Sequence, residues 1–122
     1  MKIESICENG VSLAVISSDE PVIIDGPSAL DLAMTVKYQT GASALVLEKG
    51  AVCEEFFILS SGLAGDVLQK YINYHIRAAI YGDYTRYTSK PLRDFIYESN
   101  HGKDFFFTAT KEEAIQKLTQ PR

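Results

Sequence analysis

The sequence contains no tryptophan and only two histidines and two cysteines among its 122 residues, and each scarcity closes a route. His75 and His101 lack the i, i+4 spacing of a helical zinc pair, and with Cys7 and Cys53 they make no recognisable ligand set, so neither a metal nor a cofactor is expected. Nothing at the amino terminus resembles a secretory signal, so both cysteines are read as reduced thiols of a cytoplasmic protein. No apolar run approaches the roughly 20 residues that cross a bilayer. Basic charge is also short: twelve Lys and Arg are scattered among sixteen Asp and Glu, for a net charge of -4. That balance argues against a nucleic-acid partner, whose affinity rests on a concentrated cationic face. Repeats, low-complexity tracts and linkers are missing as well, which makes residues 1–122 one domain.

What is present is enough apolar material, 46% of the residues, to bury a single core. Lys2 to Cys7 and Val11 to Ile16 read as two strands around the turn Glu8-Asn9-Gly10, a hairpin. Val22 to Ile24 is a short extended piece. Asp25-Gly26-Pro27-Ser28 opens a first helix with Ser28 as its cap. The helix runs from Ala29 to Gln39, buries Leu30, Ala33 and Met34, and ends at Gly41. Ser43 to Leu47 is a buried strand, after which Phe56, Phe57, Ile58 and Leu59 pack under the sheet. A central helix ends near Asn73. His75 to Tyr81 is a nearly continuous apolar strand, of the kind covered on both faces. Ser89-Lys90-Pro91 opens the next helix, and Asn100-His101-Gly102 ends it in a left-handed cap. Asp104 to Thr108 is an aromatic strand, and Thr110 to Glu113 caps a last helix before a frayed tail, Thr119 to Arg122.

This order predicts an α/β fold: a mixed five-stranded sheet, antiparallel in its first hairpin and parallel thereafter, with about four helices. In such a sheet the carboxyl ends of the parallel strands and the starts of the following helices share one edge. Glu48, Lys49, Ser60, Ser61, Asp83 to Thr85, Ser89 and Thr110 are expected there.

The most suggestive stretch on that edge is Leu59 to Tyr71, where two serines and two glycines run into the stripe Leu63, Val67, Leu68, Tyr71 and Ile72. Ser60 and Ser61 stand where a helix cap belongs, and Gly62 permits close approach. The free N–H groups of a helix start favour an anion. Asp83, Tyr84 and Thr85 would face the same edge from the end of a strand, with Tyr84 and Tyr87 as aromatic contacts. Asp25, Glu54 and Glu55 are the further carboxylates an enzyme would draw on there.

Ser60-Ser61-Gly62-Leu63 resembles the signature of anti-sigma-factor antagonists, the STAS domains, in which Asp-Ser-x-Gly-Leu begins the second helix of the same order of elements. The resemblance implies a STAS-like fold, a protein partner and Ser60 as the regulated serine. Leu59 stands where that family has aspartate, so ligand contact is expected at Ser60 ahead of phosphorylation. A closer likeness is carried by Phe56-Phe57, Leu63-Ala64-Gly65-Asp66, Leu68-Gln69-Lys70, Asn73-Tyr74, Gly82-Asp83-Tyr84, Ser89-Lys90 and Asp94 through Gly102. Together they resemble the bacterial and archaeal family of unknown function DUF4180, which implies no particular activity.

These readings favour a small regulatory binding module over an enzyme, because no nucleophile and base stand at a diagnostic spacing. Its expected counterpart is a protein or a small anionic ligand meeting Ser60, Ser61, Gly62, Asp83, Tyr84 and Thr85. Self-association into a homo-oligomer is left open, and the alternative is an enzyme using carboxylates and hydroxyls of the same edge. The cysteine reading has a direct check: alkylation of denatured, unreduced protein should label both thiols, and a mass two hydrogens short with neither labelled would contradict it.

Overall fold

The computed structural model describes residues 1–120. Strands β1 (Lys2–Glu8), β2 (Val11–Ser17), β3 (Ala44–Glu48), β4 (Arg77–Tyr81) and β5 (Phe105–Thr108) form one sheet in the order β1-β2-β3-β4-β5. The β1–β2 pair is antiparallel, and every other neighbouring pair is parallel. Helices α1 (Gly26–Thr40), α2 (Leu63–Asn73), α3 (Lys90–Asn100) and α4 (Lys111–Thr119) complete the expected α/β fold.

The strand order dictates where the helices lie. Each parallel crossover moves one place in the same direction, and because such crossovers are right-handed, α1, α2 and α3 must cover the same face. The buried residues agree: Ala14, Ile16, Leu45, Leu47, Ala78, Ile80, Phe105 and Phe107 pack in one cluster with Ala29, Val36, Val67, Tyr71 and Leu92 of those helices. The alternate residues Leu13, Val15, Val46, Ala79 and Phe106 pack against Ala114 and Leu118 of α4, the one helix among the described residues on the other face. Strand β4 lies between β3 and β5 and is buried from both sides, as its sequence demands.

Several local expectations are corrected. The cap of α1 is Asp25: its carboxylate accepts the Ser28 N–H at 2.8 Å, while the Ser28 hydroxyl accepts the Asp25 N–H at 3.0 Å. The buried stripe of α1 is accordingly Ala29, Leu32, Ala33 and Val36, leaving Leu30 and Met34 half-buried. Gly26 lets α1 approach α2 closely: a Cβ there would meet the Asp66 carboxylate, which would have to move aside. Ile58 and Ile72 are exposed, since the short 3-10 turns before α2 rotate Ile58 outward and the buried face of α2 is Ala64, Val67 and Tyr71. His75 lies outside β4 in the left-handed region, φ 58°, and lets the Ile76 N–H reach back to the Tyr71 carbonyl to close α2. No left-handed residue ends α3; His101 is right-handed, and the Asn100 side chain ties the helix to β5 instead. Thr119 is buried at the end of α4 and donates to the Ile115 carbonyl, so the fraying expected from it does not begin there. Residues 121 and 122 of that tail lie outside the described residues.

Ile80 has no solvent exposure, so Ile80→Ala should cost about 2–5 kcal/mol. Chemical denaturation would show this as a lower midpoint at similar cooperativity; an unchanged midpoint would refute the packing.

Candidate functional site

An open cleft of about 1050 Å³ lies at the carboxyl edge of β4 and β5. It exists because the chain changes sides at β5. The helix before this strand, α3, lies on one face and the helix after it, α4, on the other, so the strand end is left between them. Gly82 to Thr85, Tyr87 and Thr88 form one side of the cleft, and Arg93, Ile96, Tyr97 and Asn100 of α3 form another.

The loop after β4 is held from several directions. Asp83 accepts from the Thr85 N–H at 2.9 Å and from the Thr85 hydroxyl at 2.7 Å. These two bonds hold the Asp83 carboxyl below its usual range. The Tyr84 hydroxyl donates to the Ile80 carbonyl at 2.6 Å, while its ring meets Phe57 and Phe107 with centroids 5.9 Å away in each case. Burial, with the neighbouring Tyr87, pushes the Tyr84 hydroxyl well above its ordinary pKa, so it stays a neutral donor throughout the physiological range.

A charged latch fastens the same loop to the segment after β3. The Lys49 ammonium lies 5.2 Å from the centre of the Phe57 ring and 4.9 Å from that of Tyr87, and the two rings stack on each other at 5.2 Å. Glu54 then collects three donors: Lys49 at 3.2 Å, the Tyr87 hydroxyl at 2.9 Å, and Arg86. Partial burial pushes the Glu54 carboxyl up, but the Tyr87 bond and the two cations outweigh it and leave the pKa below its usual value. Gly82 is required here because a side chain would place its Cβ 2.7 Å from the Cβ of Lys49.

The six residues singled out in the sequence fall in different places. Asp83, Tyr84 and Thr85 come together in the cleft. Ser60 borders a separate groove of about 490 Å³ with Phe57, Ile58, Leu59, Ser89 and Pro91. Ser60 and Ser61 do not cap α2; they belong to the 3-10 turn Leu59–Ser61, and Gly62, left-handed at φ 81°, is the cap residue. The Ser61 hydroxyl is used locally, donating to the Glu55 carbonyl at 2.8 Å and accepting the Leu63 N–H at 3.2 Å.

Arg93 and Tyr97 are the site residues that sequence reasoning passed over, since an i, i+4 polar pair beside a Leu92-Phe95-Ile96 stripe is what any solvated helix face shows. Arg93 is exposed and makes no ion pair among the described residues. Asn100 also lines the cleft, but its amide is committed to the backbone of Phe107. The further carboxylates do not gather: Asp25 caps α1 and Glu54 sits in the latch. Among the described residues no group of three or more His, Cys, Asp and Glu side chains is arranged to hold a metal ion, and no helix is long and apolar enough to cross a membrane.

The elements that build this edge coincide with a known sequence family. The family described as "Domain of unknown function (DUF4180)" matches residues 8–118. The chain belongs to that family. No curated protein and no solved structure matches it. In this DUF4180 domain the matched stretch contains the whole cleft and latch, and leaves out residues 2–7 of β1.

The latch predicts an acid transition. A carboxyl whose folded pKa is lowered contributes stability that is complete above the unfolded value, about 4.3, and is lost as pH falls through the folded one. Tyr87 ring resonances should therefore move with a midpoint below an ordinary glutamate, and Glu54→Gln should remove that transition. A Tyr87 signal insensitive to acid would contradict the latch.

Proposed function

We propose that this domain is a binding module whose cleft takes a small anionic ligand with a flat apolar body. The reading is carried by Arg93, an exposed guanidinium with no ionic partner among the described residues, at the rim of an aromatic cleft. Its apolar surface comes from Tyr84, Ile96 and Phe107, and the ring of Tyr97 stands beside it. Such a surface takes up a ring by area and stacking, while a single cation supplies the polar contact that fixes orientation. Guanidinium suits this because its planar fork matches a carboxylate or phosphate at two points.

The chemistry of the lining favours binding over catalysis. The Tyr84 hydroxyl is bonded to a carbonyl, Asp83 to Thr85, and Asn100 to Phe107. None of these is poised as a base beside a nucleophile. A protein partner at the Ser60 groove is the second reading. It draws on the exposed Ser60 beside the apolar Ile58, and on the resemblance of that segment to the anti-sigma-factor antagonists.

Calorimetric titration with benzoate and with phenyl phosphate tests the leading reading. Binding of either, weakened at least roughly tenfold by Arg93→Glu, is expected, since a charge-assisted pair is worth about 1.5–3 kcal/mol. Equal affinity for the two proteins would remove Arg93 from the site, and binding of neither compound would count against an anionic aromatic ligand.

A further inference from the structure

Strand β1 is an open edge of unusual form. It runs for seven residues without proline, glycine or bulge and pairs residue for residue with β2. Among the described residues no strand pairs with its outer side. The opposite edge, β5, has only four residues. Proteins normally protect a long edge by shortening it, bending it or placing charges that repel a second strand. Here the only protection is charge: Lys2, Glu4 and Glu8, all exposed and none in an ion pair among the described residues.

The hairpin geometry fixes which groups point outward. Asn9 and Gly10, at φ 51° and 77°, form a two-residue turn, so the flanking pair Glu8–Val11 exchanges both backbone hydrogen bonds. Alternation then directs the N–H and C=O of Lys2, Glu4, Ile6 and Glu8 toward β2, and those of Ile3, Ser5 and Cys7 outward. A second copy added antiparallel about a twofold axis normal to the sheet keeps each face continuous. That symmetry permits only registers in which two opposed residue numbers have an even sum.

Charge and the length of strand paired together select among these registers. With Ser5 opposite Ile3 of the copy, Glu4 faces Glu4. With Ser5 opposite Cys7, Glu4 faces Glu8 twice. With Ser5 opposite Ser5, Lys2 faces Glu8 at both ends and Glu4 faces Ile6, so no two acids oppose. In that register Ser5–Ser5 and the two Ile3–Cys7 pairs exchange about six N–H···O bonds. The two Lys2–Glu8 pairs fall at non-hydrogen-bonded positions, where side chains approach most closely.

We propose that β1 pairs antiparallel with β1 of a second copy of this chain, with the twofold axis at Ser5, to make a continuous ten-stranded sheet. In this register the charges that would repel an unrelated strand oppose one another as two Lys2–Glu8 pairs and the whole of β1 is paired; with Ile3 opposite Ile3, Lys2 would face Glu4 but Ile6, Cys7 and Glu8 would be left without a partner strand.

Sedimentation equilibrium across micromolar to submillimolar concentrations should show a monomer–dimer equilibrium. Lys2→Glu and Glu8→Lys, each alone, should raise the dissociation constant at least roughly fivefold, because two opposite-charge pairs become like-charge pairs. The double variant Lys2→Glu/Glu8→Lys should restore dimerisation, and because it carries both substitutions it also excludes misfolding as the cause of the single losses. In a Cys7→Ser background, Ser5→Cys should cross-link readily under mild oxidation, since facing Cα atoms about 5.5 Å apart admit a disulfide. The native Cys7 pair, about 14 Å apart along the strand, should not. A monomer at every concentration overturns the proposal. So does a dimer indifferent to the single charge reversals, or one that the double reversal fails to restore.

Discussion

Everything in this domain follows from crossovers that step through the sheet in one direction. A doubly wound sheet reverses its strand order and opens its crevice at the reversal. This sheet never reverses, so three helices are confined to one face and the middle of the carboxyl edge has no built-in gap. The opening is displaced to the last strand, where the chain passes from the three-helix face to the α4 face. The cleft and the residues that line it are consequences of that one change of side.

The loop after β4 spans this opening; Tyr84 and the Asp83–Thr85 bonds shape its first half, and the latch ties its far end to the segment after β3. Lys49 serves two purposes there, resting on the rings of Phe57 and Tyr87 while it meets the Glu54 carboxylate. Aromatic packing continues inward from Tyr87 through Phe57 and Tyr84 to Phe107, so the exposed rim is tied to the buried face of β5. Individually, exposed ion pairs of this kind contribute little. Their effect here is to hold a loop whose core-facing ring already has a place.

Much of this was legible in the sequence, for reasons that can be located. Asn9-Gly10 fixes a hairpin turn, Gly41 ends α1 in the left-handed conformation and Thr110 caps α4, because each residue type answers a local backbone need. Strands β3 and β4 announce burial on both faces through unbroken apolar runs. Local signals failed where two residues compete for one role. Asp25 and Ser28 form a reciprocal pair, and the sequence alone does not say which of them is the cap. Ser60 and Ser61 look like a cap until Gly62 turns left-handed and takes the position. The latch was illegible because its partners, Lys49, Glu54, Arg86 and Tyr87, meet only once β3 and β4 are side by side. Arg93 and Tyr97 were illegible because a solvated helix face and the rim of a cleft have the same composition.

The central claim is that the opening made by the change of side at β5 is where this domain meets its ligand. Backbone amide chemical-shift mapping with a set of small aromatic acids tests it most directly, because it reports location independently of affinity. The account predicts shifts concentrated at Gly82 to Thr88, at Arg93 and Tyr97 on α3, and at Thr108 and Ala109. Shifts concentrated at Leu59 to Gly62 instead, with the β4–α3 loop unmoved, would contradict it.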